Sequence, residues 1–592
     1  MYLRTVKAAG PKGVLYEYVR LVEAYREDGK NKQRVVCNLG RKDLLAQHLD
    51  SLIRLLRGEK ALAPTSRLGQ VEAVGAWDWG PMLVARALWM ELGLQAILDR
   101  LADYRLSDDH AFADRALVLV ANRLCVPGSE HGLARWLESD FVCDRRGRRW
   151  VPSWRDDTKR RASRTPRVRV EFHQLQQWYR TLDQLVARKK QIERELYLRL
   201  RDLFSLKVDV VFYDLTSTYF EGHGPPRQGA HGHSRDGKPR NRQVLVGLVM
   251  VEGWPIAHHV FRGNLRDEKS VPEVLEDLER RFGVGRVVFV GDRGMVTLSN
   301  LKLVREHRQG YVVGLNRRRS EEVYRYTEQA KGPWIECPVG IAAGEKSDPP
   351  QTLVQEVPSG KDGVRVFVVH SDERLAYERQ QRLEAMERVK VRLEALQRRI
   401  EAGKLKAAEK VGAAAQRVVA ANHGYRYYAW QYKGGRFGFF EHPVNLKREK
   451  AYEGKYVIQT EEKELTAVQA VETYKELSEV ERAFRNLKDV MAMRPIYHQT
   501  DDRVEGHIFV AALAFLLHRA IEKKLKAAGL DLSASEALQA LKTVRLVEFK
   551  LDGGHSQRSV ARGTARAAAV LGALGITERD PPVPPGTSRT AS

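Results

Sequence analysis

Residues 208–214, VDVVFYD, decide the fold: an apolar run interrupted only by Asp209 closes on a second acid, Asp214. A loop rich in Gly, His and Arg follows (222–242), then two more strand-like runs, Val244–Val251 and Ile256–Phe261. A helical pattern over Val271–Phe282 leads to VVFVG (287–291) and another acid, Asp292. A helix over Leu298–Arg308 and the strand YVVGL (311–315) complete a β-β-β-α-β-α-β order. Apolar runs joined first directly and then through helices predict an α/β sheet, with three adjacent antiparallel strands extended by parallel ones.

Outward from this core, residues 1–72 alternate apolar and polar in short runs. They predict a small β-rich module closed by a helix over Asp43–Leu56. Residues 73–206 turn to a helical period and end in a long basic helix, Phe172–Phe204. The Arg-rich linker before it, Asp144–Arg169, reads either as a solvated loop or as a phosphate-contacting arm. The first part of the core takes 207–318. Residues 319–460 hold hairpin strands (Thr352–Val357, Val364–Val369), a charged helical hairpin over 372–421 with a break near Gly403, and aromatic strands (Tyr425–Tyr432, Phe437–Phe440). They predict a β-rich insertion domain with a helical hairpin. A helix over Ala467–Asp489 and a buried helix over 505–523 make the second part of the core, 461–525. A C-terminal helical region occupies 526–592, and its tail DPPVPPGTSRTAS is disordered by composition.

Lys and Arg total 100 against 76 Asp and Glu, a net charge of +24 over 592 residues. That excess favours a polyanionic partner, nucleic acid or an acidic membrane surface. Cys37, Cys125, Cys143 and Cys337 lie far apart without a CxxC, against a disulfide framework or a cysteine zinc cluster and in keeping with a reducing cytosol. The first residues contain no apolar stretch of a secretory signal. The longest clean apolar run, Ile508–Leu517, has ten residues, where a membrane span needs about 20; it predicts a buried helix. No GxxxxGK[ST] or HExxH occurs, and the glycines of GVGRVVFVGD precede a strand rather than follow it, so no nucleotide cofactor is expected.

Asp214 and Asp292 each close a predicted strand, the place where sites collect in open α/β sheets. Either one alone reads as a helix N-cap; two in one sheet point toward a shared site. A third element is TAVQAVETYKELSEVERAFRNLKDV (466–490), with an apolar stripe of Val468, Val471, Leu477, Val480, Phe484 and Leu487. Tyr474, Glu481 and Lys488 follow one another at intervals of seven residues, two helical turns, and so share one polar edge flanked by Arg482 and Arg485. By itself this is an ordinary solvated edge with ion pairs. Together, Asp214, Asp292 and Glu481 offer three hard oxygen ligands on a basic chain. Magnesium is bound by one or two carboxylates with phosphate oxygens and water, and a pair of such ions serves both sides of a phosphodiester displacement. His223, His231 and His233 tempt a zinc assignment, but without a fourth ligand they read as a solvated or DNA-facing loop. The aromatics of 425–440 read mainly as core strands, with a base-stacking wall as the sharper alternative.

The motifs DLTSTYFEG (214–222), VGDRGM (290–295) and YKELSEVERAFRNLK (474–488), in this order, resemble the DDE transposases of bacterial insertion sequences, in the insertion-sequence-four superfamily. That family's signature sets Tyr, Arg, Glu and Lys at spacings of 2, 3 and 6; Tyr474, Glu481 and Lys488 match it, while Leu477 stands at the Arg position. The segments GHSRDGKPRNRQ (232–243) and FRGNLRDEKSVPEVLEDL (261–278) are also similar, and the resemblance covers about 205–520. It implies an RNase H-like catalytic core, a mixed sheet with helices on both faces. It implies two Mg2+ ions, with Mn2+ as a substitute, Asp214 bridging both while Asp292 and Glu481 each hold one. Tyr474 and Lys488, with Arg482 and Arg485 beside them, would contact DNA phosphates. The expected function is binding of terminal inverted repeats, cleavage at the element ends and joining of 3′-hydroxyls to target DNA, by a homodimer on double-stranded DNA in the bacterial cytoplasm, associated with the nucleoid. A catalytically inert DNA-binding protein and a structure-specific nuclease without strand transfer are the alternatives. Trp254 and Trp430 are candidates for a base-flipping ring.

Overall fold

The computed structural model describes residues 2–9, 15–27, 30–42, 72–102, 112–152, 154–156, 168–170, 172–206, 209–283, 288–291, 297–307, 309–315, 321–338, 351–550 and 556–582. Helix α1 (Phe172–Phe204) delivers the chain to strands β1 (Val210–Tyr219), β2 (Gln243–Val251) and β3 (Trp254–Arg262). These form an antiparallel meander in which Asp214 stands opposite Leu248, and Leu248 opposite His258. Helix α2 (Val271–Phe282) opens with Pro272 in its first turn and stops at Gly283, whose φ of 58° closes the helix in the left-handed region. It leads to β4 (Val288–Gly291), and α3 (Leu298–Glu306) leads to β5 (Gly310–Gly314). β4 runs parallel to both β1 and β5. The three antiparallel strands and the parallel additions therefore form as their apolar runs predict.

The sheet continues past β5. Strands β6 (Ile335–Glu336), β7 (Thr352–Val357), β8 (Arg365–Ser371) and β9 (Lys455–Thr460) extend it to nine, in the order β6-β7-β8-β9-β5-β4-β1-β2-β3. β9 joins the two halves because KYVIQT is buried along nearly its whole length and pairs antiparallel with β5 on one side and β8 on the other. The hairpin strands at 352–371 thus belong to the central sheet. What stands off it is the helical hairpin Asp372–Glu401 and Ala408–Ala420, broken at Gly403 (φ 70°), with the β-hairpin Tyr428–Lys433 and Arg436–Glu441 against it. This unit has its own core of Met386, Val389, Leu393, Val411, Tyr428 and Phe437, against which Trp430, Tyr432 and Phe439 pack.

Alternation along the strands divides the central sheet into two faces. On one, Val211, Tyr213, Leu215, Phe289, Tyr311 and Val313 pack under α2 and α3. On the other, Phe212, Val290 and Val312 join the largest core of the molecule. That second face is covered by α4 (Ala467–Lys475), α5 (Leu477–Arg485) and α6 (Asp501–Ala527). The single helix expected over Ala467–Asp489 is interrupted twice, at Glu476 and by a π-helical turn over Asn486–Val490. The apolar stripe runs through all the pieces, so periodicity alone does not register the breaks; the wider i→i+5 turn rotates the side chains that follow it. α6 is long and apolar enough to cross a bilayer, and 89% of its most apolar window is buried inside the molecule. Here it is the central core helix, packed on α1, on β3 and on Phe112–Cys125.

The helices Gly80–Glu91, Leu94–Leu101 and Phe112–Cys125 share the core of α1 and α6, so this part of region 73–206 packs with the helices of the central sheet. The first residues make a three-stranded antiparallel sheet, Tyr2–Ala9, Leu15–Glu27 and Lys30–Arg41. Near the other terminus Arg545–Lys550 returns to pair with Glu72–Asp78. The helix expected over Asp43–Leu56, residues 153 and 157–167 of the Arg-rich linker and the last ten residues lie outside the described residues.

Candidate active site

Asp214 is half-buried in the middle of β1, not at its end as expected. The residues after it, Leu-Thr-Ser-Thr-Tyr, are β-branched or aromatic and keep pairing with β2 as far as Tyr219. On its other side, however, β1 pairs with β4 only through Phe212. Among the described residues Asp214 stands two residues beyond the last pairing of β1 with β4, on the carboxyl-end side of the parallel strands where sites collect. Being two residues from Phe212, it shares that residue's face of the sheet, the face under α4 and α5. β4 ends at Gly291; Asp292 and its neighbours through Val296 lie outside the described residues.

On the far side of β4, Gly291 pairs with Val313, and Gly314 follows at the end of β5. A Cβ on Gly314 would stand 2.2 Å from the Tyr474 hydroxyl, so the Tyr474 ring lies over this edge, half-buried, with the Tyr456 ring 5.8 Å away. α5 packs on β1 through Val480, Ala483 and Phe484, which are all buried. Its opposite surface exposes Glu481, Arg482 and Arg485. Among the described residues Glu481 and Arg485 have no hydrogen bond or ion pair, whereas Arg482 donates to Glu479 at 2.7 Å. Leu477, at the signature's Arg position, is in the core.

Lys488 departs most from expectation. The expected polar edge of Tyr474, Glu481 and Lys488 does not form as one row, because the π-turn carries Lys488 inward. Its side chain is 9% exposed and its Nζ donates to Asp236 Oδ1 at 2.8 Å. Burial pushes the Lys488 ammonium down from its ordinary pKa, while the Asp236 carboxylate pulls the other way. Arg494 donates to the same oxygen at 2.6 Å and to Asp489. Sequence reasoning missed Asp236 and Arg494: GHSRDGKPRNRQ was legible as a motif, but nothing in it pairs its acid with a lysine 252 residues away.

Glu130, His498 and His507 form the other constellation that sequence reasoning missed, with ligand atoms all within 4.8 Å of one another. These atoms are already committed. His507 Nε2 donates to the Met493 carbonyl (3.1 Å), its Nδ1 accepts from buried Arg123 (3.3 Å), and Glu130 pairs with His498 at 3.4 Å. Burial opposes ionisation of Glu130, but the hydrogen bond and charge of His498, with His507 and Arg123 nearby, hold it at about 2. The Arg123 guanidinium already supplies the positive charge that a cation would bring. His223, His231 and His233 form no such group among the described residues. Trp254 is buried, stacked on Phe204 at 4.5 Å, and Trp430 packs inward on Phe437, so neither faces solvent as a free ring.

The model of the transposase DDE domain matches residues 209–517, more than half of the chain. The chain belongs to the DDE transposase family. Residues 3–65 match the N-terminal domain of IS1634 family transposases, which makes this DDE transposase one of an insertion sequence. No curated protein matches the transposase. Among solved structures, the piggyBac transposase synaptic complex with hairpin DNA aligns with a TM-score of 0.28 at 10% identity, over 85% of this chain and 77% of that one. The family implies use of a divalent metal, and the residue types fit one: the Glu481 carboxylate is exposed and without an ion pair among the described residues, and Asp214 is half-buried on the strand against which α5 packs, both hard oxygen donors.

Proposed function

We propose that this transposase binds the terminal inverted repeats of its element, cuts the DNA at the ends and joins the 3′-hydroxyls to target DNA. The observation that carries this reading is the match of residues 209–517 to the transposase DDE domain, a span that holds Asp214, Asp292 and Glu481. Asp214 lies on β1 and Glu481 on α5, the helix that packs against that strand, and Asp292 follows β4, the parallel neighbour of β1. Asp214, Asp292 and Glu481 would hold two Mg2+ ions, with Mn2+ able to replace them. When bound, such ions lower the pKa of an attacking water or 3′-hydroxyl and stabilise the departing oxygen.

The chain's own groups do the rest. Asp214 is carried on a central strand and Glu481 on a helix anchored by buried Val480 and Phe484, so the backbone positions of both acids are set without substrate. Arg485 and Arg482, exposed on the same helix, bring positive charge to the DNA backbone, and Tyr474 offers a hydroxyl above the end of β5. Lys488 stabilises a phosphate through the N–H bonds that Asp236 does not take. Cutting both ends together requires two copies on one DNA, so a homodimer forms on double-stranded DNA, in association with the bacterial nucleoid.

The test supplies a pre-cut duplex bearing a 3′-hydroxyl element end together with a target plasmid. Joined product that depends on Mg2+ supports the reading. Cutting without joining identifies a structure-specific nuclease, and binding without either identifies an inert DNA-binding protein.

A further inference from the structure

The Asp236 side chain is 2% exposed, and it lies in a loop tied to the strand that carries Asp214. The Arg235 backbone N–H donates to Ser217 Oγ at 2.8 Å, three residues beyond Asp214, and the Arg235 guanidinium pairs with Asp267 at 2.7 Å. Gln243 Nε2 donates to the carbonyls of Lys238 and Asn241, both at 2.9 Å, closing the loop on itself. Across from it, the segment after the π-turn is stitched to the end of β1: the Ile496 N–H donates to the Tyr219 carbonyl and the Glu221 N–H to the Ile496 carbonyl. Asp236 bridges these two pieces, taking Lys488 and Arg494 on one oxygen while its Oδ2 is buried without a hydrogen-bond partner. An acid placed for packing alone would not leave a buried acceptor unpaired. Lys488 has three N–H donors and gives one to Asp236; the other two have no partner among the described residues.

We propose that Asp236 is a positioning residue, holding the Lys488 ammonium in a fixed orientation beside the strand that carries Asp214 so that its remaining donors meet a phosphate of the bound DNA end. This rests on the transposase reading above. Arg494 shares the carboxylate and also pairs with Asp489, and nearby Arg235 pairs with Asp267, so Asp236 is the anion that Lys488 and Arg494 hold in common.

The experiment is a double-mutant cycle on single-turnover cleavage of an end-bearing duplex with Mg2+, using the full chain as wild type, Asp236→Asn, Lys488→Met and the double variant. Asp236→Asn is expected to slow cleavage about tenfold to a hundredfold, the scale on which misplacement of a positioned group acts. Added to Lys488→Met it is expected to change the rate by less than about twofold, since the two act as one unit. A structural role does not predict a second readout. With the carboxylate gone, Lys488 faces only Arg494, Arg235 and a desolvated site, so the alkaline limb of the pH–rate profile moves to lower pH in Asp236→Asn and is absent in Lys488→Met. If Asp236→Asn does not fold, the same cycle is run with Asp236→Glu, which keeps the charge and displaces it by one methylene. Equal losses in both backgrounds, or no loss in the wild-type background, overturn the assignment. A wild-type protein that cuts nothing removes the transposase reading and this inference with it, whereas a wild type that cuts, with additive losses, removes only the inference.

Discussion

Acid should unfold this protein in a defined window, because two histidines are buried in their neutral form. His507 lies between the Arg123 guanidinium and the Met493 carbonyl, a geometry that uses one ring nitrogen as acceptor and the other as donor. His258 gives its Nδ1–H to Glu193 at 2.8 Å, and its Nε2 is buried with no partner, so a second ring proton would be unsatisfied. Burial, with Arg123 and His498 adding to it, pushes His507 down to about 3; burial and the Lys189 ammonium push His258 down to about 4. In the unfolded chain both titrate near 6.5. Between these values the unfolded state binds the extra protons, so stability is complete above about pH 7 and falls as the pH drops. At pH 5 the loss is about 2 kcal/mol for each histidine, roughly 4 kcal/mol together relative to pH 8. Urea unfolding at pH 8, 6 and 5, followed by tryptophan fluorescence, to which buried Trp254 on the strand of His258 contributes, measures it. His258→Gln keeps a donor toward Glu193 and should roughly halve the drop between pH 8 and 5. An unfolding free energy that is flat over this range, or a His258→Gln protein with the full drop, would refute the neutral-histidine account.

Restoring the signature arginine by Leu477→Arg should harm the protein. Leu477 is buried at the first turn of α5, so the change forfeits about 2 kcal/mol of burial and places a charge at the positive end of a helix. Thermal melting should show a lower midpoint with no gain in end cleavage; an unchanged midpoint with faster cleavage would contradict this. Gly314→Ala puts a Cβ 2.2 Å from the Tyr474 hydroxyl, which should cost about 1–3 kcal/mol as the ring is displaced and weaken binding of an end-bearing duplex. A Gly314→Ala protein indistinguishable from wild type in melting and in DNA titration would place the Tyr474 ring elsewhere. Binding of end-bearing duplex should weaken steeply and linearly on a log–log plot against salt, as release of counterions requires; affinity insensitive to salt would exclude phosphate contacts by Arg482, Arg485 and Lys488.

The parts of the fold legible in the sequence were those with local signals. The strand runs around Asp214 and before Asp292, the basic helix Phe172–Phe204 and the helical hairpin broken at Gly403 each declare themselves in a few consecutive residues. The pairing of β9 with both β5 and β8 did not, since KYVIQT is short and its partners lie more than eighty residues away on one side and more than a hundred on the other. The π-turn at Asn486–Val490 was hidden for a different reason: the apolar stripe continues through it in phase enough to read as one helix. Motif spacing therefore located Tyr474, Glu481 and Lys488 along the chain but misjudged what Lys488 faces. Its buried pairing with Asp236 depends on a loop from another part of the sheet, and no spacing rule reaches that far.

The central claim is that Asp214, Asp292 and Glu481 form one metal-dependent centre for cutting DNA. Single-turnover cleavage of an end-bearing duplex, in Mg2+ and in EDTA, tests it for wild type, Asp214→Asn, Asp292→Asn and Glu481→Gln with DNA binding measured alongside. The account predicts Mg2+-dependent cutting by wild type and its loss in all three variants while binding persists. Cutting that survives any of these substitutions, or that proceeds in EDTA, would contradict it.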